Sequence, residues 1–147
     1  MSWAIDTYDE RTAREYITIA RARWEEHSFY GFAITRGDDL LGACTLSSVH
    51  SIYRFCNLGY WVRTSCHGRG IAGRGAKLAA RFAFEQLGLI RVEIVIAVGN
   101  QASLRVAEKI GAHSEGILLN RIVVGKSIYD AHMYSLVPSD FGLHARL

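Results

Sequence analysis

Proline is nearly missing from this chain. Pro138 is the only one in 147 residues, which leaves no material for a proline-rich linker or a collagen-like segment. Cysteine is also sparse: Cys44, Cys56 and Cys66 are odd in number, lie 12 and 10 residues apart and form no CxxC pair. Neither a disulfide framework nor a four-ligand zinc site has its usual signature, so the three read as reduced thiols and no metal is expected. No uninterrupted apolar run approaches the roughly 18–20 residues of a membrane-spanning helix. The opening Met1-Ser2-Trp3-Ala4-Ile5-Asp6 lacks the basic and then apolar layout of a secretory signal. Charged residues make up only 21% of the chain and the net charge is +3. That mild basicity suits an anionic small ligand at least as well as nucleic acid, and no Lys/Arg block supports the latter. The expectation is a soluble cytoplasmic protein without a membrane or nucleic-acid partner.

What is present is apolar. Half of the residues are hydrophobic, enough for a packed core, and the length fits one domain over residues 1–147, since domains usually run roughly 100–200 residues. A helix is expected over about residues 10–27, where Ala13, Tyr16, Ile17, Ala20 and Trp24 recur at helical spacing. Thr7 and Glu10 stand at capping-box spacing ahead of it, and Tyr16 and Trp24 are expected to pack it into the core. Residues 29–36 and 40–47 flank Gly37-Asp38-Asp39 as a hairpin. A third extended run from Ile52 to Val62 completes an antiparallel meander. A basic, glycine-rich loop at 64–70 leads into a helix reaching about Leu87, with Ala72, Ala76, Ala79, Ala80 and Ala83 along one flank. Small residues there permit close approach to a sheet. Residues 90–98 form a strand rich in β-branched residues. Asn100 can cap a short helix that stops at Gly111. Two closing strands, roughly 115–124 and 127–137, join at Gly125-Lys126. One crossover makes a locally parallel pair, so the class is α+β with a mixed, mostly antiparallel central sheet flanked by helices.

The loop carries the chemistry. His67-Gly68-Arg69-Gly70-Ile71-Ala72-Gly73 lies between a strand and a helix. Glycines let the backbone approach a ligand, and free N–H groups at a helix start point towards an anion. Arg63, Arg69 and Arg74 add positive charge, so a phosphate-bearing ligand is one reading and a tight turn with solvated arginines the other. Gly68 to Gly73 also spells GxGxxG, with Glu93 20 residues beyond, the dinucleotide-binding spacing. Context argues against that. The upstream strand belongs to a meander, Glu93 lies in mid-strand, and only one crossover exists where two nucleotide-binding halves are expected. Gly125-Lys126-Ser127 ends like a P-loop but sits at a hairpin tip.

The order of elements and seven separate pieces together resemble the GNAT superfamily of N-acetyltransferases, closest to the branch of the ribosomal-protein alanine acetyltransferases. The pieces are Leu58-Gly59-Tyr60-Trp61-Val62, His67 to Ala72, Ala83-Phe84-Glu85 with Leu87-Gly88-Leu89, Arg91-Val92-Glu93, Asn100-Gln101-Ala102-Ser103, Glu108 to Ala112, and Glu115-Gly116. They span roughly residues 28–137. The resemblance implies a GNAT fold in which His67, Gly68, Arg69, Gly70, Ile71, Ala72 and Gly73 hold the diphosphate of acetyl-coenzyme A. Trp61, Val62 and Arg63 would bond the pantetheine arm, in a gap where that strand splays from the next, and Asn100 and Ser103 would lie near the thioester. The implied activity is acetyl transfer to a primary amine, a protein N-terminus or a small molecule, by direct attack. No enzyme nucleophile is then required, and proximity and a backbone N–H at the carbonyl oxygen supply much of the acceleration.

Four positions depart from the family pattern. His67 replaces Arg or Gln, and Arg74 replaces Glu. Ala107 stands where many members carry the tyrosine that protonates the thiolate. Ser103 is then the candidate acid, and the alternative is a first-turn serine satisfying backbone N–H groups. Ile122 stands where the branch places an acidic base. Glu93 is the replacement candidate, against the plainer reading of a carboxylate on a solvated or helix-covered sheet face. His50, Asp130 and His132 are further candidates. Trp61 lines the acceptor pocket or packs the core, and Tyr134 should be buried with its hydroxyl bonded. The usual first strand and helix of the family are missing ahead of about Asp6, which points to an edge covered by a second copy, a homodimer. The alternative function is a coenzyme A-binding sensor or interaction domain without turnover.

Overall fold

The computed structural model describes residues 9–145. Its first element, α1 (Glu10–Glu25), is capped by Asp9, whose carboxylate accepts from the Thr12 backbone N–H; the expected cap Thr7 lies outside the described residues. The helix does not enter the core as expected. None of its residues is buried, Tyr16 is half exposed, and the Trp24 ring meets Tyr30, Phe32 and Phe82 at 4.9, 5.2 and 6.1 Å.

The meander follows as β1 (Tyr30–Arg36), β2 (Asp39–His50) and β3 (Phe55–Val62). The third strand begins three residues later than the sequence predicts. Ile52 and Tyr53 occupy an exposed turn, where His50 Nδ1 accepts from the Tyr53 N–H and the His50 ring stacks on Tyr53 and Phe55. After a short 3₁₀ turn at Thr64–Cys66 come α2 (Ile71–Glu85), β4 (Arg91–Ala97), α3 (Gln101–Lys109), β5 (His113–Val124) and β6 (Ser127–Leu136). Asn100 caps α3 through its side-chain oxygen, and Gly111 ends it in the left-handed region, both as predicted.

The six strands form one sheet in the order β1-β2-β3-β4-β6-β5, antiparallel throughout except for the β3/β4 pair. Two-residue periodicity sends Cys44, Leu46, Cys56, Leu58, Val92, Ile94 and Ile96 to the face beneath α2 and α3, where they form the core with Ala76, Ala79, Ala80 and Ala83. The small flank of α2 is needed: a Cβ on Gly75 would lie 2.6 Å from Ile34 Cδ1 and 3.0 Å from Cys44 Sγ. Burial pushes the Cys44 and Cys56 thiols up to about 11 and about 12. No described helix is long and apolar enough to cross a membrane.

Candidate active site

Two adjacent strands part company at the centre of the sheet. β3 and β4 pair in parallel at Phe55↔Arg91, Cys56↔Val92 and Asn57↔Glu93, and then stop. From Leu58 to Val62 on one side and Ile94 to Ala97 on the other, the facing edges are unpaired, which opens a V whose vertex is the Asn57/Glu93 pair. An unpaired strand edge inside a sheet presents backbone donors and acceptors to anything extended that enters it. Tyr60 on β3 donates its hydroxyl to the Ser103 carbonyl of α3 at 2.9 Å. Burial raises the Tyr60 pKa further, so the phenol stays protonated and keeps the bond.

The open end of the V leads to the glycine loop. Gly68 and Gly70 hold φ of +74° and +70°, and Gly70 is the N-cap of α2 with no side-chain cap. The first helical bond in which the loop takes part is Arg74 N–H to the Gly70 carbonyl. Among the described residues, none of the six N–H groups from Gly68 to Gly73 has a backbone or side-chain acceptor. Six consecutive donors at the positive end of a helix make a cradle for an anion. Arg63, Arg69 and Arg74 are exposed beside it and form no ion pair among the described residues. His67 is turned back, with its Nε2 3.3 Å from the Val62 carbonyl, so its ring braces the loop against β3. Beneath the loop, Cys66 is buried.

At the vertex, on the face away from the helices, lies a cavity of about 270 Å³ lined by Ser48, Phe55, Asn57, Glu93, Val95, Arg121 and Ile122. Asn57 Oδ1 is shut off from solvent and has no hydrogen-bond partner among the described residues. An isolated buried acceptor costs roughly 1–3 kcal/mol and calls for a donor. Glu93 is only 17% exposed, and its Oε1 accepts from Arg91 Nε at 2.9 Å; no described residue donates to Oε2. Arg91 also grips Glu115 through two bonds of 2.7 and 2.6 Å, and Ser135 donates to the same carboxylate. These bonds hold Glu115 down to about 2. The Arg91-Val92-Glu93 and Glu115-Gly116 pieces thus become one ion-pair cluster tying β4, β5 and β6 together. Backbone irregularities aim the remaining lining. Ser48 sits in a β2 bulge at φ +52°, and the β5 bulge between Leu118 and Ile122 is clamped by Asp130, which accepts from the Asn120 N–H at 2.8 Å. A larger open groove, of about 660 Å³, is lined by α1 residues alone and by none of the residues above.

The predicted site residues therefore fall into two groups at opposite ends of the V. His67 to Gly73, with Trp61, Val62 and Arg63, form its outer end, and Glu93 stands at the vertex. Asn100 and Ser103 lie on the α3 side, where the Ser103 N–H is taken by Asn100 Oδ1 and Ser103 Oγ has no partner among the described residues. His132 pairs with Ile96, on the helix side and away from Glu93; His50 and Asp130 brace a turn and a bulge. Trp61 lines neither the cavity nor the core. Tyr134 is buried, its hydroxyl 3.3 Å from Glu108 Oε1. Ala107 is fully buried. Asn57, Tyr60 and Arg121 were not predicted: alternation along β3 puts Asn57 opposite Cys56 and Leu58, but nothing local says that its oxygen is left alone.

The model of the acetyltransferase (GNAT) domain family matches residues 1–113. The chain belongs to the GNAT acetyltransferase family. Among this GNAT protein's relatives, Bacillus subtilis YdaF, named provisionally as a ribosomal N-acetyltransferase, is 33% identical over 102 residues, 69% of this chain and 56% of that protein. YjcK of the same organism, a probable N-acetyltransferase, is 30% identical over 140 residues, 93% of this chain and 77% of that protein. The chain thus spans little more than half the length of the first of these. A crystal structure of a probable acetyltransferase superposes with a TM-score of 0.85 at 28% identity, over 95% of this chain and 79% of that one. The ribosomal L7/L12 α-N-protein acetyltransferase RimL in complex with coenzyme A shares the fold, with a TM-score of 0.85 at 19% identity over 93% and 77% of the two chains. The likeness to YdaF places the GNAT chain with the ribosomal-protein acetyltransferase-like branch.

Proposed function

We propose that this GNAT protein transfers the acetyl group of acetyl-CoA to a primary amine by direct attack on the thioester. The observation that carries the reading is the V between β3 and β4, because its unpaired edges run from a six-donor anion cradle to a cavity holding a carboxylate and an orphaned amide oxygen. The diphosphate is received by the N–H groups of Gly68 to Gly73, with Arg69 and Arg74 adding charge. The pantetheine arm takes the β3 edge along Trp61, Val62 and Arg63, like an added strand. Val62 lies five residue steps from Asn57, a span of roughly 16 Å at about 3.3 Å per residue, which brings the thioester end towards the vertex.

There the amine nitrogen attacks the thioester carbonyl carbon; the C–N bond forms as the C–S bond breaks. The proton lost by the amine goes to Glu93 Oε2, and the departing thiolate takes one from Ser103 Oγ or from solvent. Arg91, by occupying Oε1, orients the carboxylate and leaves the other oxygen for that work. The acceptor is a small molecule or a protein N-terminus, the cell compartment is the cytoplasm, and the working form is a homodimer.

Release of free thiol from acetyl-CoA with a panel of amines and N-terminal peptides tests the reading, alongside titration of coenzyme A into the folded protein. Binding with no thiol release for any amine would favour a coenzyme A-binding domain without turnover, a reading that the fully buried Ala107 supports, since no phenol stands on α3 at that place. Failure to bind coenzyme A would overturn both.

A further inference from the structure

We infer that the acceptor is a small primary amine that itself carries an anionic group, an α-amino acid in its chemistry, with its nitrogen held by Asn57 and Glu93 and its anion by Arg121. The inference rests on the acetyl-transfer reading and adds the identity of the second substrate's charges.

The nitrogen end follows from two acceptors without donors. Asn57 Oδ1 is buried and unpartnered, and Glu93 Oε2 receives nothing from the described residues. The two residues are direct neighbours across the last paired rung of β3 and β4, on strands about 4.8 Å apart. Both therefore serve one amine, which has the N–H groups to satisfy them. An amide oxygen beside a carboxylate accepts from an ammonium and, after the proton leaves, still accepts from the neutral amine.

The anion end follows from an inequality between two arginines. Arg91 is saturated, forked onto Glu115 and bonded to Glu93. Arg121 lines the same cavity from β5 and has no carboxylate within ion-pair distance among the described residues. A guanidinium offers a planar fork suited to a carboxylate. Size agrees: 270 Å³ is about nine times the roughly 30 Å³ that a water molecule occupies in the liquid, room for a molecule of amino-acid dimensions. Phe55, Val95 and Ile122 supply apolar wall between the two polar ends. A polyamine would bring its second cation against Arg121, and a plain alkylamine would leave that exposed guanidinium to water alone.

Thiol release from acetyl-CoA is measured for wild type and Arg121→Gln with each of the twenty free amino acids, their carboxamides, putrescine, spermidine and an uncharged hexapeptide. In wild type, kcat/KM for at least one amino acid should exceed that for its carboxamide about tenfold to a hundredfold, the worth of one charge-assisted pair. Arg121→Gln should collapse that ratio towards one through KM for the amino acid, leaving KM for acetyl-CoA unchanged. Preference for a carboxamide, polyamine or hexapeptide, or a ratio unmoved by the substitution, overturns the inference. Calorimetry of the same amino acids on coenzyme A-loaded protein separates the two levels. Arg121-dependent binding without turnover overturns the transfer reading and sustains the charge assignment, whereas no binding by any amino acid overturns the assignment.

Discussion

Replacing Gly70 by alanine tests the anion cradle through its geometry, without removing a charge. Gly70 stands at φ +70°, and a Cβ placed there meets nothing within 4 Å. Steric collision is therefore excluded, and the whole effect comes from the backbone. Holding an L-residue in the left-handed region costs roughly 1–2 kcal/mol. The alanine chain also loses less entropy on folding, an offset of about 0.4–1 kcal/mol. A net loss of about 1 kcal/mol lowers the melting temperature by roughly 3 °C in a domain of this size. The strained loop has an alternative, which is to leave the left-handed region. The N–H groups of Ile71 and Ala72 would then no longer point with those of Gly68 and Arg69. Each hydrogen bond to a charged group is worth about 1.5–3 kcal/mol, so losing one weakens coenzyme A binding about tenfold to a hundredfold. Calorimetric titration of coenzyme A and a thermal melt on the same preparation read the two numbers. Gly75→Ala is the control for packing alone, since its Cβ would collide with Ile34 and Cys44 on the sheet side of α2 and cost about 1–3 kcal/mol of stability by overpacking, with the left-handed Gly70 untouched. A Gly70→Ala protein that melts lower yet binds coenzyme A within twofold of wild type would refute the diphosphate assignment.

Other expectations concern the supports of the site. Glu115, held down to about 2 against an ordinary 4.5, contributes stability that is fully present above about pH 4.5 and is lost as the pH falls towards 2. Glu115→Gln should flatten the urea midpoint across that window, and an unchanged slope would disprove the role of the Arg91 fork. Tyr60→Phe removes the single bond from β3 to the Ser103 carbonyl, at a cost of about 1–2 kcal/mol. Its melting temperature should drop and KM for acetyl-CoA should rise as α3 loosens over the V. Cys44 and Cys56, buried and pushed up to about 11 and about 12, should resist alkylation near neutral pH until the protein is unfolded. Rapid labelling of either in the native state would contradict their place in the core.

Much of the architecture is legible in local chemistry. Alternating β-branched residues mark β4, small residues on one flank of α2 announce close contact with a sheet, and Asn100 and Gly111 bound α3, because each of these signals acts over a few neighbouring residues. The glycine loop is legible for the same reason: its conformation and its free N–H groups belong to one short segment. Other features require partners far apart in the chain. That β3 and β4 pair for only three residues is a property of two strands brought together from separate parts of the chain. Asn57 is left without a partner by strands that arrive from four places. Arg91 and Glu115 meet across 24 residues, converting two apparent sequence motifs into one strand-tying cluster, and Arg121 lines the cavity from a bulged stretch of β5 that Asp130 of β6 clamps. The helical periodicity of α1 predicts burial, yet periodicity states only which residues share a face, and the sheet leaves that face half uncovered. Short-range stereochemistry wrote the elements and the cradle; long-range packing placed a carboxylate, an amide oxygen and a guanidinium around one cavity.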